Sequence, residues 1–412
     1  MTATVEAPEQ QTTPPRFRWL AAARHALDRP LTAYYLLLGA SALLLTIGLI
    51  MVLSASSIYS YRTHDGDSYA VVKRQLMWVV IGLPCAWLAS RLPLRWVRRL
   101  TYPAFSLSLV LLLLTALFGV ERNGNQNWLG VGPLVIQPSE VAKLALVIWA
   151  AHIYANKERR LGSLHQIIVP VVPGMLLATG LVVFGRDLGT ALVLVAIMVG
   201  MLFVVGAPGR FFTICLMLVS TVVLAFAATD RERMGRIAGF TDPFRDYHDT
   251  GWQSAHGLYA LSSGGWFGQG IGASRQKWGD LPEAHTDYIF AVLGEELGLV
   301  GTLLIVVLFL TIAYAALRVG RETADPFVRY ASFGIVVWLL GQMIINVGMV
   351  LALLPVIGIP LPLVSYGGSA LLPSLVALGL LVGFARREPA AARALAQRRR
   401  GRSAGLSAGR LP

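Results

Sequence analysis

The sequence predicts an all-α polytopic membrane protein with ten transmembrane helices and both termini on the cytoplasmic side. Three observations predict it. The 412 residues are 55% hydrophobic, with a mean hydropathy of +0.62. Only 14% are charged, whereas soluble chains carry about a quarter. The apolar residues also fall in blocks of about 20, the length that crosses a bilayer. Length alone would allow two or three soluble domains, but the blocks exclude that reading. Cys85 and Cys215 both sit inside apolar blocks, so no disulfide framework is expected.

Ten blocks read as spans: 32–53, 75–91, 101–120, 138–155, 166–184, 188–206, 211–229, 287–315, 330–354 and 369–385. The fifth and sixth are separated only by Gly185-Arg186-Asp187. Residues 1–30 are polar and basic, and no small-residue cleavage site follows the first apolar run. They read as a disordered cytoplasmic tail. Residues 31–387 form the membrane domain, with a large external loop at about 230–286. Residues 388–412 read as a second basic, disordered tail.

The net charge of +13 has a sidedness. With the N-terminus inside, the cytoplasmic segments hold 23 of the 35 Lys and Arg residues, and the external ones hold 11. Lys143 lies within a span. This asymmetry sets the orientation and places the C-terminal Arg cluster near anionic lipid. A basic chain also raises nucleic acid as a partner, but the cluster at Arg398-Arg399-Arg400 reads as a solvated tail. No Walker A sequence, dinucleotide fingerprint or Cys/His metal set occurs. Chemistry must therefore come from residues in the membrane or at its outer face.

Four polar groups stand out, because ionisable groups within spans are costly. The first is Gln137-Pro138-Ser139-Glu140, with Lys143 three residues on and sharing a helical face with Glu140. It reads equally as a self-neutralising structural pair or as the lining of a polar cavity. The second is Arg186-Asp187-Leu188-Gly189-Thr190. It reads as a water-facing turn or as a cation and hydroxyl displayed to phosphate.

The third group runs from Gly264 through Arg275 and Lys277 to Glu283, His285 and Asp287, and on to Glu295 and Glu296. It reads as a glycine-rich loop with a helix cap. Alternatively it holds a diphosphate with its cations and removes a proton with a carboxylate. Glu295 and Glu296 read as helix packing, with one of them facing the bundle interior. The fourth group, 355–369, is apolar yet dense in Pro and Gly and contains Ser365, so it cannot be a regular helix. Such backbone is tolerated at membrane depth only when buried in protein or lining a cavity. Gln342 and Asn346, four apart, read as interhelical hydrogen-bonding amides.

At these four groups the sequence resembles the SEDS family of bacterial cell-wall proteins, whose division member is FtsW and whose elongation member is RodA. The carrying strings are Gln137-Pro138-Ser139-Glu140 with Lys143, Asp187-Leu188-Gly189-Thr190, Leu281-Pro282-Glu283-Ala284-His285-Thr286-Asp287, and Pro362-Leu363-Val364-Ser365-Tyr366-Gly367-Gly368-Ser369. All four occur in family order, and the resemblance covers about residues 32–387. Gly272-Ala273-Ser274-Arg275-Gln276-Lys277-Trp278 and the string from Trp278 to His285 look more like the FtsW type. Departures are Gly185-Arg186 in place of Gln-Pro, Asn123–Trp128 without the usual Ala-Arg-Arg, and Ala370 in place of a second Ser.

The resemblance implies the ten-helix SEDS fold and a peptidoglycan glycosyltransferase that polymerises lipid II at the outer face of the cytoplasmic membrane, in cell division. It implies that Asp287 is the essential carboxylate and that Glu140 and Lys143 line the central cavity. It further implies a class B penicillin-binding protein as transpeptidase partner, together with other division proteins. On this reading Asp287 removes the proton from the acceptor sugar hydroxyl. Lys277, Arg275 and Arg186 neutralise the leaving diphosphate. No covalent cofactor is expected; a divalent cation, Mg or Mn, would be held mainly by diphosphate oxygens. The substrate-binding set expected is Glu140, Lys143, Arg186, Asp187, Arg275, Lys277, Glu283, His285 and Ser365. The alternatives are a RodA-like elongation polymerase, a lipid II flippase or other transporter, and a non-catalytic scaffold that recruits a transpeptidase.

Overall fold

The computed structural model describes residues 29–122, 125–131, 134–228, 242–245, 251–279, 281–394 and 397. Most of both expected tails and much of the external segment between 229 and 250 lie outside the described residues. So do Asn123, Gly124 and Asp280.

Thirteen α-helices carry the described fold. They are α1 (Thr32–Thr63), α2 (Ala70–Arg91), α3 (Leu94–Arg99), α4 (Thr101–Phe118), α5 (Pro138–Lys157), α6 (Leu164–Ile168) and α7 (Val171–Phe184). Then follow α8 (Leu188–Val205), α9 (Gly209–Ala228), α10 (Trp252–Gly264), α11 (Ile289–Glu322), α12 (Pro326–Val350) and α13 (Gly368–Ala385). Eight described spans are long and apolar enough to cross a membrane, with α6 and α7 together making one of them. The fourth and seventh expected spans are present as α5 and α9, each of 20 residues. The architecture is therefore the all-α polytopic one that the sequence predicts.

The helix ends follow local chemistry. Pro138 and Pro326 open α5 and α12, where a missing N–H costs nothing. Asp325 caps α12, accepting from the Phe327 amide at 2.9 Å. Gly206, in the left-handed region, ends α8. The first helix runs ten residues past its apolar block. Ser54, Ser56 and Ser60 are buried against the bundle, so their polarity does not end it.

The core is built from α5, α11, α12 and α13. α13 lies along α2, α11 along α12 and α1, and α12 along α5 and α8. In α5 buried residues run from Pro138 to Tyr154 on nearly all sides. At one end of the bundle Arg98 pairs with Asp325, and Arg329 with Glu158 at 2.9 Å. These are residues that the charge asymmetry assigns to the cytoplasm.

Two elements at the other end are not legible in the apolar pattern. A three-stranded antiparallel sheet, β1 (Val120–Arg122), β2 (Asn125–Val131) and β3 (Leu134–Ile136), joins α4 to α5. Its register pairs Glu121 with Gln126 and Gly130 with Val135. Within the segment expected to be external, α10 packs against the start of α11.

Candidate active site

The four polar groups converge on the end of the bundle that the charge asymmetry assigns to the outside. The Arg186-Asp187 turn divides between two roles. Arg186 is exposed, with a left-handed backbone (φ 62°). Asp187 turns inward and caps α8. Its carboxylate accepts from the Thr190 amide (2.9 Å) and hydroxyl (2.8 Å), from Asn127 on β2 (2.9 Å) and from Gln137 (3.1 Å). The Thr190 hydroxyl is thus used internally rather than displayed. Asn127, a contact that the sequence did not single out, ties the sheet to α8.

Glu140 and Lys143 form a fully buried ion pair at 2.8 Å. Lys143 also donates to Gln342 Oε1 at 3.0 Å and lies 5.8 Å from the centre of the Trp338 ring. Gln342 then donates to the Pro360 carbonyl at 2.9 Å. One turn on, Asn346 donates to the carbonyls of Ile359 and Asp287, both at 2.7 Å. Gln342 thus bonds between helices, as the sequence predicts for these amides. Both amides also hold irregular backbone, where carbonyls outside any ladder need donors.

Within the irregular segment 352–366, Ile359 and the run from Leu361 to Ser365 are buried in protein, whereas Leu353 and Gly358 are exposed. The Ser365 hydroxyl accepts from the Leu361 amide at 2.7 Å, and its carbonyl accepts from Gln75 at 3.3 Å. Ser365 therefore shapes the wall of the site in this structure.

Asp287 sits on a compact turn just before α11. The Glu283 carbonyl accepts from the amides of Thr286 and Tyr288, both at 3.1 Å, with Glu283 at φ 54°. The Thr286 hydroxyl donates to the Glu283 carboxylate at 2.5 Å. His285 is stacked on Tyr59 at 4.7 Å and lies 5.7 Å from Tyr366, whose amide donates to the His285 carbonyl at 3.0 Å. Burial holds the His285 imidazole below its usual value, opposed by the nearby Glu283.

Among the described residues no group donates a hydrogen bond to the Asp287 carboxylate. Gly358 lies against it with φ 72°, and a Cβ built there would stand 3.2 Å from Asp287 Oδ2. Burial, then the negative charges of Glu283 and Asp187, push Asp287 up from 3.8 to about 7. A half-buried, donor-free carboxylate of that basicity can take a proton near neutral pH.

Of the cations expected at a diphosphate, Arg275 and Arg186 are exposed, and Lys277 is turned inward. Lys277 Nζ pairs with Glu296 at 2.8 Å and donates to Ser54 Oγ (2.9 Å) and the Gly272 carbonyl (2.7 Å). Ser54 in turn donates to both oxygens of Glu296, at 2.6 and 2.8 Å. Glu295 accepts from the Ser274 hydroxyl at 2.5 Å and the Arg275 amide at 2.9 Å. Both glutamates are buried, whereas the sequence suggested one. α11 breaks its helical backbone at Gly298 (φ 69°), where a Cβ would lie 2.6 Å from the Phe267 amide nitrogen. The loop thus docks into the break, and the buried carboxylates lock it there.

Among the described residues, no three His, Cys, Asp or Glu side chains group as metal ligands.

The chain matches the cell cycle protein family of FtsW, RodA and SpoVE over residues 34–389. A probable peptidoglycan glycosyltransferase FtsW of Mycobacterium tuberculosis is 39% identical over 396 residues, covering 94% of this chain and 74% of that protein. The stage V sporulation protein E of Bacillus subtilis is 37% identical, covering 84% and 94%. A solved peptidoglycan synthase complex that coordinates polymerization and crosslinking contains a chain of the same fold. Its TM-score is 0.69 at 27% identity, over 86% of this chain and 97% of that one. The rod shape determining protein RodA of Thermus thermophilus superposes with a TM-score of 0.64 at 28% identity, over 86% and 97%.

Proposed function

The chain belongs to the FtsW/RodA/SpoVE family, and from that membership and the geometry around Asp287 we propose that it is a peptidoglycan glycosyltransferase of the FtsW type, which polymerises lipid II into glycan strands. The observation that carries the reading is the Asp287 carboxylate itself. Among the described residues nothing donates a hydrogen bond to this half-buried carboxylate, and burial with neighbouring negative charge raises it to about 7. It has the properties of a general base.

In the reaction Asp287 accepts the proton of the acceptor sugar's 4-hydroxyl. The oxygen attacks the anomeric carbon of the donor, which is the growing glycan on its undecaprenyl diphosphate. The bond from that carbon to the diphosphate oxygen breaks with inversion, and the lipid diphosphate leaves. The exposed Arg275 and Arg186 are the cations available to the departing charge. Lys277 acts one layer behind them by holding the loop that carries Arg275. A divalent cation would be held by diphosphate oxygens, and no step here depends on it. Both substrates are lipids, which suits a site at the membrane's outer face.

The partner on this reading is a class B penicillin-binding protein, in keeping with the polymerizing and crosslinking complex whose chain shares the fold. The septal role and further division partners rest on FtsW-named relatives at 35–39% identity. A flippase would need polar groups along the whole crossing. The buried Glu140–Lys143 pair is self-neutralised, which does not favour such a path.

The test is reconstitution with fluorescent lipid II, with and without a class B penicillin-binding protein. A ladder of glycan products is expected. Lipid II moved to the opposite leaflet with no polymer formed would contradict the enzyme reading.

A further inference from the structure

We infer that Asn346 is a positioning residue for Asp287. Its one side-chain amide, donating to the carbonyls of Asp287 and Ile359, fixes the gap between the carboxylate-bearing turn and the irregular wall that it faces. The inference deepens the proposed function and rests on Asp287 as the base.

Asn346 is fully buried on α12. Its Nδ2 has two hydrogens, and both are used, each at 2.7 Å. Both partners are carbonyls, which only accept, so the amide has a single workable orientation. That orientation leaves Oδ1 buried without a donor among the described residues. An orphaned buried acceptor is costly, and a native structure keeps one when something else requires the orientation. Gln342, one turn away, shows the contrast. Its Oε1 accepts from Lys143 and Trp338 while its Nε2 holds the Pro360 carbonyl.

The two carbonyls that Asn346 holds belong to different segments, the turn before α11 and the irregular run after α12. Asp287 precedes the first residue of α11 by two, so its carbonyl is outside the regular ladder. Ile359 follows Gly358, the residue that lies against Asp287 Oδ2. Moving Ile359 carries Gly358 toward or away from the carboxylate. Moving the Asp287 carbonyl turns the carboxylate itself. One amide therefore controls both sides of the space in which the reacting hydroxyl must sit, and small displacements there are expensive in rate.

The test compares Asn346→Ala, Asp287→Asn and Ile335→Ala in purified protein with its partner, polymerising fluorescent lipid II. Ile335 is fully buried on α12, about 16 Å along the helix from Asn346. Its truncation matches a stability loss without touching the site. Asn346→Ala is expected to lower kcat about ten- to a hundredfold, with KM within about twofold. It should also move the acidic limb of the pH–rate profile to lower pH, as the carboxylate opens to water. Ile335→Ala should keep kcat and the limb at any given amount of folded protein. Wild-type kcat and limb in folded Asn346→Ala would overturn the inference, as would an equal loss in Ile335→Ala. Activity retained by Asp287→Asn would instead overturn the base assignment on which the inference rests.

Discussion

Gln342 and Asn346 stand one helical turn apart on α12 and grip adjacent carbonyls, Pro360 at 2.9 Å and Ile359 at 2.7 Å. Through Gln342 the grip reaches back to the Lys143–Glu140 pair, and through Asn346 it reaches Asp287. Buried charge, irregular backbone and candidate base thus form one connected unit.

The first prediction concerns the buried pair. Breaking it from one side leaves an uncompensated charge, at a cost of about 3–5 kcal/mol. Glu140→Gln and Lys143→Met should each lower the thermal midpoint, and the double variant should lose less than the sum. Additive losses would show the two side chains to be energetically independent. Wild-type polymerisation by folded Glu140→Ala would leave the pair a structural role only.

Lys277 gives the second. Its ammonium is engaged by Glu296, Ser54 and the Gly272 carbonyl. Lys277→Met should therefore release the segment from Gly265 to Leu281, seen as faster amide exchange there. Glu296→Gln should do the same, with little further effect in combination. If Lys277→Met leaves exchange unchanged but raises KM for lipid II several-fold, the side chain reaches substrate instead.

The third follows from the Asp287 value of about 7, raised by burial and then by Glu283 and Asp187. Folding favours the neutral carboxyl. That contribution is fully present below 3.8 and is lost as pH rises to about 7. Asp287→Asn should therefore gain thermal stability relative to wild type between pH 4 and pH 8, and the gap should level off above about 7. A gap independent of pH would contradict the raised value. In the wild type, activity should rise with pH through the same region.

Much of the fold can be read from the sequence because lipid imposes it. The apolar blocks appear as helices within a few residues of their expected limits, apart from longer runs at α1 and α11. Asp287, Glu140 and Lys143 stood out because charge near a span is costly. The sheet at 120–136 did not stand out, since strands of three and seven residues leave little periodicity. Nor did the direction of Lys277. Its partner lies 19 residues away, across a turn whose path depends on the break at Gly298 rather than on spacing. Asn346 was visible only as an amide on a helix. That it holds Asp287 depends on the course of a Pro-rich segment that no helical pattern describes.

The most direct measurement is lipid II polymerisation by purified, folded Asp287→Ala together with its transpeptidase partner. The fourth prediction is the loss of all glycan product, with the thermal midpoint no lower than that of the wild type. Polymerisation at the wild-type rate by that variant would contradict the assignment of Asp287 as the base.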